Sequence, residues 1–531
     1  MTLLSYILIT PVAGAVITGL AGRVNGLSAR MSAMFFMLVG LVLSTMLMIT
    51  VEGGTLVEKH AWFPALGATF HLEADGLGAL MVLLTAIIGV IAVLISWHDI
   101  NEKVGAFHVW VLLLQTGILL VFMARDMLLF YFGWELMLIP MFFIIGVWGH
   151  EDKLYSAIKF FLFTFTGSIF LLLALLYVYF AHAAQTGQYS FDFADLLATK
   201  LTGKEQRLIF LGMFIGFAVK VPLFPFHTWL PDAHTQAPTA GSLILAGVLL
   251  KTGVYGIMRF VFPLVPVGVA AYTKLGIALS VIGIFYGALA AFSQRDFKRL
   301  VAYSSISHLG FVTLGLFVGN ASGYQGAVLQ MVNHGLATGG LFLIAGILQE
   351  RTHTRSFEMF GGLWKQMPTM GAFLLFFAMA SLGIPGTGNF VGEFYVIAGA
   401  FLKKWWLGAV TSMGVLFAAM YSLRVFLATM HGPESVTFKK LPDTNLRENV
   451  ALFSLVILLV VIGFRPSLVT APLYWGGDKL VPQKGRSADP IGQPKKEEAF
   501  QTPAKDPNLQ QKPAQTVYLP GASLRGGEAA L

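Results

Sequence analysis

The sequence predicts an all-α integral membrane protein of about 14 transmembrane helices. Three observations carry this. Of its 531 residues, 56% are hydrophobic and only 12% are charged, whereas a soluble domain carries about 25% charged residues to keep its surface wet. Apolar runs of about 20 residues, long enough to cross a hydrocarbon core of about 30 Å, recur along almost the whole chain. A chain of this length and composition reads as one large helical bundle rather than two soluble-style domains.

In order, the spans fall at 3–21, 32–50, 77–97, 106–123, 127–148, 158–180, 208–230, 238–260, 271–292, 301–318, 325–348, 370–402, 407–430 and 449–464. The first, in "MTLLSYILITPVAGAVITGLAG", lacks the basic n-region of a signal peptide and reads as a retained span. The seventh breaks at "KVPLFPF" and the twelfth at "LGIPGTGNF". Proline removes a backbone donor and leaves a carbonyl unpaired. Interrupted spans in the two halves of a transporter-like chain therefore point to a working site, where freed backbone groups meet ions or water.

Loop charge gives an orientation. Loops after odd-numbered spans hold 13 Lys and Arg, among them Arg23, Lys153, Lys298 and Arg355, against 7 after even-numbered spans. By the positive-inside rule the odd loops are cytoplasmic and both termini lie outside, on the periplasmic side of a cell (inner) membrane. The net charge of +8 is read as this topology rather than as a nucleic-acid footprint. Beyond Arg465 the chain turns rich in Pro, Gln, Lys and Ala. Such a segment buries no core and is expected to be disordered or draped over a partner.

Several chemistries are excluded. With no cysteine there is no disulfide, no Cys-ligated iron–sulfur cluster and no Cys-type zinc site. There is no P-loop or G-x-G-x-x-G fingerprint, since "GTGNFVG" has another spacing and sits in a span. No nucleotide or flavin site is read, so any redox reaction belongs to another chain.

Four ionisable residues fall inside apolar spans: Glu135, Lys220, Lys251 and Glu393. Lys220 is about 12 residues into its span, near mid-membrane at about 1.5 Å per residue. A charged side chain there costs about 2.5–3.5 kcal/mol on insertion scales. Such residues face the interior and pair or meet water. One reading is a fixed ion pair locking helices together, although apolar packing does that as well or better. The other is proton handling, because burial brings Lys and Glu toward changing protonation near neutral pH. A carboxylate beside a lysine then makes a switchable pair. His308 in "YSSISHLGF" and His334 in "MVNHGLATGG" suit a proton wire, or are neutral histidines satisfied by hydrogen bonds. His227 and His234 flank Asp232 in a segment expected to re-emerge near the interface, and their spacing is not that of a helical zinc site.

Together, "FYFGWELMLIPMFFIIGVWG", "KVPLFPFHTWLPDAHTQAPTAGSLILAGVLLKTGVYGIMRF" and "DFKRLVAYSSISHLGF" resemble the proton-translocating antiporter-like family. It includes the large membrane-arm subunits of respiratory complex I (NADH–quinone oxidoreductase) and subunits of multi-subunit Na⁺/H⁺ antiporters. The resemblance covers nearly all of residues 70–430. It implies 14 helices with two inverted five-helix repeats and discontinuous helices 7 and 12. The implied organisation is helices 1–3 over residues 1–105, a first repeat (helices 4–8) over 106–260 and a second (helices 9–13) over 261–430. A final helix region follows over 431–465, then a polar tail over 466–531 outside the family core.

The resemblance further implies a proton relay. Glu135 pairs with Lys220, Lys251 connects, Glu393 is terminal, and His308 and His334 lie on the hydrated axis. It implies no cofactor in this chain, with NADH, FMN, iron–sulfur clusters and quinone in partner subunits. The implied partners are other membrane-arm subunits, two of them related antiporter-like chains, within a lipid bilayer and without nucleic acid. The alternatives are a subunit of a multi-subunit cation/proton antiporter or of a membrane-bound hydrogenase-type complex, and a membrane scaffold in which the charges only fix packing.

Overall fold

The computed structural model describes residues 2–433, 438 and 440–475. The chain opens with α1 (Leu3–Val24) and α2 (Gly26–Thr50), turning at Asn25, whose side chain caps α2 by accepting from Ser28 N at 2.7 Å. A two-stranded antiparallel hairpin follows, β1 (Leu56–Phe63) and β2 (Ala68–Ala74), with Leu56 opposite Ala74. Nothing in the apolar pattern announced it. Its Glu58 ties the hairpin to the start of α1, accepting from Thr2 N at 3.0 Å and Ser5 Oγ at 2.8 Å.

Asp75 caps α3 (Gly76–Asp99), and α4 (Val104–Met123) returns. The fifth span is α5 (Met127–Leu136) and α6 (Leu138–Trp148), interrupted at Met137. Pro140 explains the break, since its ring crowds the carbonyl four residues earlier, that of Leu136. Then come α7 (Lys153–Thr186), a short α8 (Phe193–Leu197) and α9 (Gly203–Lys220), begun by a Thr202–Glu205 capping box. After an eight-residue turn the seventh span resumes as α10 (Trp229–Gln236).

The eighth span is α11 (Thr239–Ile244), α12 (Leu250–Gly256) and α13 (Phe262–Leu264), linked by π-helical turns at Leu245–Leu249 and Ile257–Val261. The rest are α14 (Pro266–Ser293), α15 (Phe297–Phe317), α16 (Ala321–Thr352), the pair α17 (Pro368–Leu382) and α18 (Gly388–Lys403), α19 (Trp405–Met430) and α20 (Leu446–Phe464). A helical turn, α21 (Ser467–Thr470), leads to the last described residues. The polar tail expected from 466 therefore begins as ordered helix, and residues 476–531 lie outside the described residues.

Among the described residues, 12 helices are long and apolar enough to cross a membrane. The seventh and twelfth spans, each split in two, bring the total to the 14 expected. The break falls in the fourth span of each five-helix series. The series begin from opposite faces, as an inverted repeat requires. Both ends of the described chain lie on the hairpin face, Thr2 against Glu58 and Pro472 against Gly76.

The central stretches of the eighth span and of α16 are wholly buried, while the outer helices expose apolar side chains such as Phe35, Leu289 and Phe453 to lipid. Lipid gives no hydrophobic drive between helices, so close packing of small residues holds them. A Cβ at Gly335 of α16 would sit 2.6 Å from the carbonyl oxygen of Gly247 in the first π turn. That contact sets the centre of the molecule.

Candidate functional site: a buried line of titratable groups

The π turn at Leu245–Leu249 shifts the register of the eighth span and leaves backbone carbonyls in reach of side chains. Lys251 uses one. Its Nζ donates to the carbonyl of Ala246 and lies 2.8 Å from Nδ1 of His334 on α16. Both side chains are 0% exposed. Lysine has only donors, so His334 accepts at Nδ1 and holds its proton on Nε2.

The ring of His334 packs against that of His308 on α15, with centroids 5.7 Å apart. His308 Nδ1 is 3.0 Å from Glu393 Oε1, and its Nε2 is 3.0 Å from both Ser381 Oγ and Tyr421 Oη. The carboxylate only accepts, so the neutral ring carries its proton on Nδ1 and the two hydroxyls serve Nε2. Gln330 Nε2 donates to the same Glu393 oxygen at 3.0 Å. The twelfth-span break makes room for this carboxylate. Gly383 there has φ +83, and a Cβ on it would lie 3.1 Å from Glu393 Oε2. Four of the six candidate residues, Lys251, His334, His308 and Glu393, thus lie in one line from the eighth span to the twelfth, hydrogen-bonded at each end and joined between the two histidines by ring packing, with Nε2 of His334 free of a hydrogen-bond partner.

Lys220 and Glu135 sit apart from that line. Lys220 is the last residue of α9, where the negative end of the helix dipole favours a cation. Its Nζ makes no hydrogen bond and lies over two rings, 5.3 Å from Trp134 and 5.7 Å from Phe160. Trp134 is the neighbour of Glu135 on α5. Oε1 of Glu135 also lacks a hydrogen-bond partner, yet its charge is felt at Lys220. The pair shares a space without a direct bond. Trp229 Nε1 takes up the carbonyl of Val219, one of those the break would otherwise free, at 2.9 Å. Gly253 of α12 packs on the break, a Cβ there falling 3.2 Å from Lys220 Cβ.

The segment with His227 and His234 is packed among neighbouring helices: Trp229, Leu230, Ala233 and His234 are 0% exposed, while its end meets inter-span residues, Gln236 O accepting from His150 N and Thr235 O from Arg355 Nη1. Sequence reading also missed a second buried ion pair, Arg259 Nη2 to Asp75 Oδ1 at 2.5 Å, with the side chains 3% and 4% exposed. Asp75 looked like loop and Arg259 like the end of a span. Lys298, placed in a loop, is 0% exposed at the start of α15. Among the described residues, no group of three His, Asp or Glu is placed to hold a metal ion.

Fourteen spans, breaks in the seventh and twelfth, and a buried lysine–histidine–glutamate line define a proton-handling membrane protein of the antiporter-like class. Residues 124–418 match the family described as NADH:quinone oxidoreductase/Mrp antiporter, transmembrane, and the chain belongs to that family. It is 43% identical to NADH-quinone oxidoreductase subunit M of Escherichia coli K12 over 483 residues, 87% of this chain and 94% of that one. Its fold matches a chain of respiratory complex I from Thermus thermophilus with TM-score 0.79 and 31% identity, covering 88% of this chain and 97% of the other. A chain of a membrane-bound sulfane sulfur reductase, an archaeal respiratory complex, matches with TM-score 0.80 and 26% identity, covering 89% and 77%.

Proposed function

We propose that this chain is a proton-translocating membrane-arm subunit of NADH–quinone oxidoreductase, of the subunit M type. It moves protons and leaves NADH oxidation and quinone reduction, with their FMN and iron–sulfur clusters, to partner subunits. Identity over nearly the full length of subunit M relatives favours this over a stand-alone antiporter or a hydrogenase-type complex. The observation that carries the relay is the line Lys251–His334–His308–Glu393, hydrogen-bonded at both ends with the two imidazole rings packed against each other between them.

The chemistry follows from the tautomers. A proton reaching Nε2 of His308 makes an imidazolium, whose Nδ1 proton passes to Glu393. The ring is left neutral with its proton on Nε2 and resets by turning over. Upstream, Lys220 and Glu135 form the switch. With no bond between them, small movements change how strongly the carboxylate holds the ammonium, and so whether a proton moves on to Lys251. The hairpin face, with both described chain ends, is the outer face, and Glu393 exchanges with it.

The test is Glu135→Ala or Lys220→Ala in the assembled complex. Loss of proton translocation per electron is expected, and normal coupling in both variants would overturn the reading. A scaffold role is separated by Lys251→Met, which should abolish this chain's proton transfer while the complex still assembles.

A further inference from the structure

The line described above runs from Lys251 toward Glu393 and leaves open how protons arrive. On the face opposite the hairpin lies a cavity of about 620 Å³, where the end of α3, the α6–α7 loop, the starts of α11 and α15 and the end of α16 meet. Its rim reaches solvent at Arg295, whose side chain is 80% exposed. Asp99, His150, Thr239, Gln349 and Glu350 are among its walls.

At its inner end lie a half-buried carboxylate, Asp99, and a fully buried lysine, Lys298. Asp99 interacts with Thr239, and its Oδ2 has no hydrogen-bond partner. Lys298 is within the field of Asp99. Its Nζ donates to the carbonyl of Ala237 at 3.2 Å and lies 3.4 Å from His150 Nε2. Burial, then the cations Lys298, Arg355 and Lys153, push the His150 imidazole down to about 3. It stays neutral and accepts from the lysine. Deeper still is His234, 0% exposed, stacked on Phe342 at 4.4 Å. Neither ring nitrogen of His234 has a hydrogen-bond partner, and the ring is within the field of both Lys298 and Lys251. A polar cavity, an orphaned carboxylate oxygen, a buried lysine and an unpartnered imidazole thus lead in order from solvent to Lys251. Structural locking does not require the orphaned atoms, whose burial is costly unless something visits them.

We propose that this cavity is the proton-uptake port of the chain, with Asp99 the acceptor at its floor and Lys298 the gate to His234; this rests on the relay reading above. The step balances as one proton in and one out. Asp99 takes a proton from the cavity and loses its hold on Lys298. Lys298 gives a proton to His234 and is recharged by Asp99, which returns to carboxylate. No charge accumulates in the gate.

The chain has no cysteine of its own, which makes the test direct. Gln349→Cys, in the cavity wall, is labelled in the assembled complex with a membrane-impermeant maleimide, in sealed vesicles of each orientation, and the adduct is read on this chain by mass. Labelling is expected only from the face opposite the hairpin, with proton translocation lowered to the level of Lys251→Met. Asp99→Asn should give that same loss, Asp99→Glu should recover most of it, and Asp99→Asn combined with Lys251→Met should lose nothing more. Labelling absent or from the hairpin face, or normal pumping in Asp99→Asn while Lys251→Met fails, would overturn the port alone. Normal pumping in Lys251→Met would bring down the relay reading and the port with it.

Discussion

Nζ of Lys251 and Nδ1 of His334 lie 2.8 Å apart, joining two helices whose residues are 83 positions apart in the chain. The contact exists because α16 comes down directly on a π turn, with Gly335 against the backbone of Gly247. The lysine bonds the histidine only while that spacing is kept. The position of a glycine and the irregularity of one helix thus fix the chemistry of two titratable side chains.

Gly335→Ala is expected to break this contact without altering either titratable group. The new methyl would meet a backbone oxygen at 2.6 Å, which cannot rotate aside, so α16 must shift. Overpacking of this kind costs about 1–3 kcal/mol. Thermal unfolding in detergent should show the loss, and proton translocation by the assembled complex should fall with it. Gly339→Ala is the control, since its methyl meets only Cδ1 of Leu243, at 2.8 Å, the movable end of a side chain. Equal effects from both variants would count against the argument.

His308 is expected to be the least replaceable residue of the line. It alone bonds on both sides, to Glu393 through Nδ1 and to Ser381 and Tyr421 through Nε2. His308→Phe keeps a ring but removes both nitrogens, and a lost acid–base group typically costs about 100-fold or more in the step it serves. Ser381→Ala and Tyr421→Phe each remove one of two hydroxyls at the same nitrogen and should be mild. Proton translocation in proteoliposomes measures all three, and a mild His308→Phe would contradict the relay.

Lys220→Met should separate stability from function. The ammonium is 1% exposed and hydrogen-bonds to nothing; the Trp134 and Phe160 rings lie beside it, and the Glu135 charge reaches it without a direct bond. Cation–π contact returns about 0.5–2 kcal/mol, less than the cost of burying the charge. Replacement by an apolar side chain of similar length should leave the complex as stable or raise its unfolding temperature, while proton pumping falls. A lysine kept to hold helices together would give the opposite pattern, lower stability and intact pumping.

Much of this was legible in the sequence, for a physical reason. Each span must satisfy its backbone internally and stay apolar for about 20 residues, so the 14 spans and the breaks at Pro222 and Gly383 show as pattern. Glu135, Lys220, Lys251 and Glu393 stand out because a charge in an apolar run is rare and costly. What stayed hidden depends on packing. Ser381, Gln330 and Tyr421 are ordinary polar residues until three helices bring them to His308 and Glu393. Asp75 and Arg259 sit at span edges, where charge is common, and only the fold buries them together. The π turns leave no mark in an apolar pattern. The hairpin at 56–74 alternates too weakly to be read, its burial following the start of α1 at Glu58 and the neighbouring α3, α4 and α5 along β2 rather than a sheet core.

That hairpin anchor gives a pH prediction. Burial alone would raise the Glu58 carboxyl. Hydrogen bonds from Thr2, then Ser5 and His60, bring it instead from 4.5 down to about 2. A carboxyl lowered in the folded state adds stability above its unfolded value and loses it as pH falls toward the folded one. The anchor should therefore be fully in force above about 4.5 and fade between there and about 2. Hydrogen bonds to a charged group are worth about 1.5–3 kcal/mol, so Glu58→Gln should lower stability by roughly that amount at pH 7. The variant should also lose the wild type's added sensitivity to acid across that window. Thermal unfolding in detergent at pH 7, 5 and 3 reads both effects. Parallel pH profiles for variant and wild type would show that the carboxylate does not hold the hairpin to α1.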